Sequence, residues 1–281
     1  MSKTVNHQWA KAPQFAPVNE CIYCGETQGL SDEHIIPLAL NGTLILPKAS
    51  CKHCAKLTSA IERTVARGFM YDARVVGNFR SRRKKLRPET LRTRFLTREH
   101  GVVEQELPLN EAAALLVLPT LARASVLDSQ SLVSGVNVVG VQAIRFGKDI
   151  PALVRDRNFS GIEFAPRINA NAFVQMLAKI AYGYCVATHG LFSREQTPLL
   201  RLIRGEADDG SSWVGSNDYK LQIEERNPRH ALGGYYLPDA EQSERVVIRV
   251  KLFSNAGATG YEVATRVPGW QNYAPEQSGG L

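Results

Sequence analysis

Two CxxC knuckles, Cys21-Ile22-Tyr23-Cys24 and Cys51-Lys52-His53-Cys54, bracket the pentapeptide Glu33-His34-Ile35-Ile36-Pro37. Two residues between cysteines form a tight turn that points both sulfurs at one ion, so four thiolates in two knuckles can close a tetrahedral zinc site. A redox pair or four unrelated buried thiols are the other readings. The chain has five cysteines in 281 residues, four of them in the knuckles, and no apolar leader over residues 1 to 9. The expectation is a reducing cytoplasm, where paired CxxC knuckles bind zinc more often than they form disulfides. Residues 25 to 50 separate the knuckles, more than the roughly fifteen to twenty of a plain zinc ribbon. The intervening loop is therefore expected to carry something of its own. His34, preceded by the carboxylate of Glu33, offers a base beside a metal ligand.

These residues need short elements to position them. Residues 30 to 38 and the run Leu44-Ile45-Leu46, which ends at Pro47, read as two short strands joined at Asn41-Gly42-Thr43. Asn41 reads as a turn residue, tolerant of the left-handed conformation before Gly42. After Ser50, a candidate N-cap, residues 51 to 65 contain no glycine or proline and place Cys54, Leu57, Ile61 and Val65 on one helical face. The order is strand, strand, helix.

With Cys21 and Cys24, Glu33-His34-Ile35-Ile36-Pro37, and Cys51 and Cys54 at the helix start, residues 21 to 62 resemble the HNH endonuclease family, whose module is a zinc-stabilised ββα-metal fold. The resemblance implies that His34 is the general base that activates water against a phosphodiester, and that Glu33 is a ligand of a catalytic divalent cation. It also implies a structural zinc on Cys21, Cys24, Cys51 and Cys54. The chemistry suits this division. A neutral imidazole, with an unperturbed pKa of about 6.5, accepts a proton near neutral pH. Charge developing on the phosphate calls for a hard cation such as magnesium or manganese on oxygen ligands, with positions left open for substrate. One position departs from the family: where an asparagine or histidine ligand often follows the last cysteine, this chain has Ala55. Thr58, Glu62 and His53 are the nearby substitutes, and Glu62 is favoured. The run from Cys54 to Glu62, with Thr58-Ser59 before the glutamate, also resembles the helix of an HNH subgroup.

The charge distribution adds a polyanion to the picture. The chain carries a net charge of +7, yet residues 63 to 98 hold twelve basic side chains against only Asp72 and Glu89. Arg80, Arg82, Arg83, Lys84 and Lys85 form the densest run and are the candidate contacts to nucleic-acid phosphates. A solubilising surface or a localisation signal is the alternative reading of that run. Phe79 and Phe95 read as core residues beside it.

The remainder reads as a second, larger α+β region. Residues 110 to 126 suggest a helix kinked at Pro119, with an apolar run far shorter than the roughly twenty residues that span a bilayer. No membrane partner is expected. Residues 132 to 146 read as one or two strands, and residues 171 to 189 as a core helix capped by Asn169 or Asn171. Residues 246 to 252 and 261 to 265 form a hairpin pattern. Asp208-Asp209-Gly210 reads as a surface turn, Cys185 as a buried thiol, and residues 1 to 18 and 269 to 281 as loose ends. The expected division is 18 to 66 as the HNH-like module, 67 to 100 as a basic linker or nucleic-acid-contacting segment, and 101 to 268 as an α+β region. The functional expectation is a metal-dependent endonuclease acting on DNA. The alternative is a zinc-stabilised nucleic-acid-binding module that no longer cleaves.

Overall fold

A computed structural model describes residues 4–7, 15–81, 87–99, 101–128, 131–217, 230–237 and 245–267. In chain order the elements are β1 (Thr4–His7), β2 (Leu30–His34), β3 (Ile45–Cys51), α1 (Lys52–Arg67), α2 (Tyr71–Val76), β4 (Thr90–Leu96), β5 (Val102–Pro108), β6 (Ala113–Leu121) and β7 (Val138–Gly147). They continue as α3 (Ile150–Asp156), β8 (Gly161–Glu163), α4 (Ala170–His189), α5 (Pro198–Arg204), α6 (Gly210–Trp213), β9 (Val214–Asn217), β10 (His230–Leu237), β11 (Arg245–Leu252) and β12 (Gly260–Arg266). Helices and antiparallel sheets together make the α+β fold expected from the sequence.

The first unit is the strand, strand, helix run. β2 and β3 pair antiparallel, with Glu33 opposite Leu46 and His34 opposite Ile45, and a register shift falls between Ser31 and Glu33. Asn41 takes the left-handed conformation at φ 67°, and its side-chain oxygen also accepts a hydrogen bond from the Arg80 backbone N–H at 2.6 Å. Gly42 is required beside it, because a Cβ there would lie 1.9 Å from the Ile36 carbonyl oxygen. The helix begins one residue later than its sequence suggests. Cys51, not Ser50, is the N-cap of α1, and its sulfur accepts from the Cys54 N–H at 3.5 Å. A cysteine sulfur thus takes the place of the usual hydroxyl at the cap.

α4 is the central helix. Asn169 caps it by accepting from the Ala172 N–H at 2.9 Å, and Gly190, at φ 84°, ends it. Fourteen of its twenty residues are buried, because α1 and α5 cover part of it and β9, β11 and β12 cover more. A helix covered on most of its circumference must be apolar nearly all round. The five-stranded sheet runs in the order β1-β10-β11-β12-β9, and its β11–β12 hairpin falls where the alternating sequence places it. A three-stranded sheet, β5-β4-β8, and the β6–β7 pair complete the fold. Buried apolar residues from Cys21 to Val267 form one continuous cluster, and Phe79, Phe95 and Cys185 lie within it.

The helix expected over 110 to 126 is a strand instead. β6 pairs with β7 from Ala113 opposite Gly147 to Leu121 opposite Val138. The alanines and leucines at its start are good helix formers, but both faces of β6 are buried, so no alternation marks it as a strand. Tertiary pairing has overridden local propensity. Pro119, which would break a helix, sits in the strand, and its carbonyl accepts the Tyr261 hydroxyl at 2.9 Å. Among the described residues no helix is long and apolar enough to cross a membrane.

Candidate functional site

The two knuckles reach each other because β3 runs between them. The first is a tight turn closed by the Gly25 N–H on the Cys21 carbonyl at 2.9 Å, with Gly25 at φ 87°, and the Ile22 N–H ties it to the Ala49 carbonyl of β3 at 2.9 Å. The second forms the start of α1. All four sulfurs lie within 4.8 Å of one another, and Cys24 Sγ is 3.7 Å from Cys51 Sγ. A tetrahedral zinc with bonds of about 2.3 Å places its sulfurs roughly 3.8 Å apart, so the donor set fits zinc. Burial pushes the Cys54 and Cys21 thiols up. At Cys51 burial acts in the same direction, but hydrogen bonding, led by the Cys54 N–H, outweighs it and lowers the thiol. Four sulfurs converging in a largely buried corner call for a cation to stabilise them as thiolates.

Residues distant in sequence clamp this corner. The Tyr182 hydroxyl of α4 donates to the Ile22 carbonyl at 2.5 Å, Arg194 donates to the same carbonyl at 3.3 Å, and Arg204 of α5 donates to the Tyr23 carbonyl. Arg194 also pairs with Glu20. The knuckle carbonyls are thereby satisfied by side chains more than 150 positions away.

Glu33 and Glu62 meet, but on a lysine. Lys179, from the middle of α4 and 1% exposed, lies 2.7 Å from Glu33 Oε1 and 2.8 Å from Glu62 Oε1. Its ammonium also donates to the backbone carbonyls of His34 and, at 3.4 Å, Ile35. Burial alone would lower the Lys179 pKa, yet the two carboxylates outweigh it and raise the group, so it is charged at neutral pH. Tyr23, beside the same carboxylates, is pushed well up, first by burial and then by their charge. Of the three helix residues that could replace a ligand at Ala55, Thr58 is buried and donates to the Ala55 carbonyl at 3.4 Å, and His53 is exposed. Only Glu62 shares a partner with Glu33.

Among the described residues, the four cysteines are the one group of three or more His, Cys, Asp or Glu side chains whose ligand atoms converge as a metal site would. The carboxylate pair does not fit an open magnesium or manganese site as it stands. Glu33 is 5% exposed, and the point shared by both carboxylates is filled by an ammonium, whereas a catalytic ion keeps positions free for water and substrate.

Glu62 also lines a cleft of about 270 Å³ walled by Arg63, Arg67, Arg74 and Arg80. Arg74 is committed to structure, donating to the Ala39 carbonyl at 2.7 Å and the Ala66 carbonyl at 2.6 Å, while Arg63, Arg67 and Arg80 are exposed. A neighbouring cleft of about 310 Å³ shares Arg67 and Arg74 and adds Arg87. A further cavity, of about 440 Å³, lies away from this site, beside Asp72, Arg92, Arg94 and Glu163. There Arg92 pairs with Glu104 and Glu106, and Arg94 with Glu104 and Glu163, so part of the basic surplus is neutralised within the fold. Of the expected phosphate contacts, Arg80 sits at the first cleft, and Arg82, Arg83, Lys84 and Lys85 lie outside the described residues.

Searches against protein-family models, curated proteins and solved structures gave no match to this chain. What stands is an α+β protein with a four-cysteine cluster suited to zinc, next to an ion cluster and an arginine-walled cleft. Sequence reasoning counted Arg63 and Arg67 within the basic segment of residues 63 to 98 but did not find Lys179, Tyr182, Arg194 or Arg204 as members of this neighbourhood. The available signal for Lys179 was its place between Leu177 and Ile180 in an otherwise apolar helix.

Proposed function

We propose that this chain is an HNH-type endonuclease that hydrolyses phosphodiester bonds in DNA, with His34 as the general base. The observation that carries the reading is the cleft that presents Arg63, Arg67 and Arg80 with Glu62 on its wall, Glu62 being tied through Lys179 to Glu33, the residue before His34. Guanidinium groups offer paired donors to phosphoryl oxygens and hold charge that grows in the transition state. In this reading the arginines seat the backbone and the His34 imidazole takes the proton of the attacking water. Arg82, Arg83, Lys84 and Lys85 extend the phosphate contacts.

Zinc on Cys21, Cys24, Cys51 and Cys54 would supply rigidity to the strands and helix that carry the chemistry. A reducing cytoplasm suits those thiolates. Magnesium or manganese, the cation implied by the HNH resemblance, belongs to this reading only where Lys179 leaves the carboxylates. The second reading, a zinc-stabilised module that binds nucleic acid without cutting, is favoured by Ala55 and by the ammonium seated between Glu33 and Glu62. Incubating supercoiled plasmid with zinc-loaded protein, with and without added magnesium or manganese, separates the two. Nicked product supports the endonuclease, and retention of the plasmid in a gel shift with no nicking under either condition transfers the case to the binding module.

A further inference from the structure

Lys179 is surrounded in a way that a surface lysine never is. Four oxygens from two different parts of the first unit face its ammonium: Glu33 Oε1 at 2.7 Å, Glu62 Oε1 at 2.8 Å, the Ile35 carbonyl at 3.4 Å, and the His34 carbonyl. An all-oxygen cage of two carboxylates and two carbonyls is the donor set a hard divalent cation selects. The carboxylate distances are those of charge-assisted N–H···O bonds, well beyond the roughly 2.1 Å of magnesium to oxygen. A charged side chain at 1% exposure in the middle of an apolar helix carries a large desolvation cost, which only opposite charges at contact distance offset.

We infer that Lys179 is the resident cation of this site, holding Glu33 and Glu62 together in the position that a divalent ion would otherwise occupy. Lys179 is thus a positioning residue that keeps a divalent cation out of the cluster. With the ammonium present the two carboxylates share one positive charge and little space. Without it, they are two negative charges side by side with carbonyl oxygens already aimed between them, which a divalent cation neutralises. The inference rests on the ion geometry and is independent of cleavage, so its test reads metal binding alone.

The test is titration of full-length, zinc-loaded protein with Mn²⁺, following free Mn²⁺ by electron paramagnetic resonance. The wild type should show no saturable Mn²⁺ site that Glu62→Gln removes. Lys179→Met should gain one such site per chain, and Lys179→Met combined with Glu62→Gln should lose it again. A merely structural lysine would not produce that gain. A folded Lys179→Met protein that gains no site overturns the inference, as does a wild-type site abolished by Glu62→Gln. Should Lys179→Met fail to fold, wild type and Glu62→Gln decide between them: equal Mn²⁺ uptake supports the inference, and loss in Glu62→Gln overturns it.

Discussion

Replacing Lys179 by methionine keeps most of the side-chain volume in α4 and removes one charge from a cluster of three. Glu33, 5% exposed, then loses its partner at 2.7 Å, while Glu62, with a side chain 22% exposed, turns partly to solvent. Breaking a buried ion pair from one side costs about 3–5 kcal/mol, because the remaining charge stays buried and unpaired. The upper part of that range is expected, since the carbonyls of His34 and Ile35 lose their donor as well. Glu33→Gln in the same background should recover part of the loss, with a coupling of roughly 1–3 kcal/mol between the two positions. Urea unfolding of zinc-loaded wild type, both single variants and the double variant measures all four corners of the cycle. The raised Lys179 pKa fixes the pH window. Its stabilising contribution is complete below the unfolded lysine value of about 10.4 and is lost only as pH rises through the higher folded value, so the wild-type contribution is constant across neutral pH. A Lys179→Met cost below about 1 kcal/mol, typical of an exposed pair, with additive effects in the double variant, would refute the buried-cluster reasoning.

Two further outcomes follow from the same geometry. Cys51→Ser removes a sulfur of the four-cysteine cluster that is also the cap of α1; because structural zinc supplies roughly 10–16 kcal/mol in small modules, the variant should lose zinc and expose residues 18 to 66 to limited proteolysis, and retained metal with an unchanged digestion pattern would argue against it. Arg63→Ala with Arg67→Ala strips two guanidiniums from the cleft beside Glu62; fluorescence anisotropy should show weaker DNA binding and a salt dependence shallower by about one unit per arginine, and an unchanged slope would place the DNA elsewhere.

The sequence made the metal corner legible and hid what surrounds it. The knuckles and the β2–β3 turn at Asn41-Gly42 are local patterns, and their spacing carries them into the structure. Helix α4 was equally legible, because Asn169 caps it and apolar residues recur at helical intervals. Lys179, Tyr182, Arg194 and Arg204 act on residues 20 to 62 across more than a hundred positions of chain, and nothing in a single sequence pairs such residues. β6 failed for a different reason: burial on both faces erases the alternation that distinguishes a strand, and its alanines and leucines then read as helix. The cap moved from Ser50 to Cys51 because the sulfur held at the metal corner is already aimed at the Cys54 N–H.

The most direct test of the proposed function is the rate at which supercoiled plasmid is nicked by wild type and by His34→Ala, at matched zinc content and matched DNA binding. Loss of nicking in His34→Ala, with zinc and binding retained, is the predicted result. Equal nicking rates in the two proteins would contradict the assignment of His34 as the base and, with it, the central account of this site.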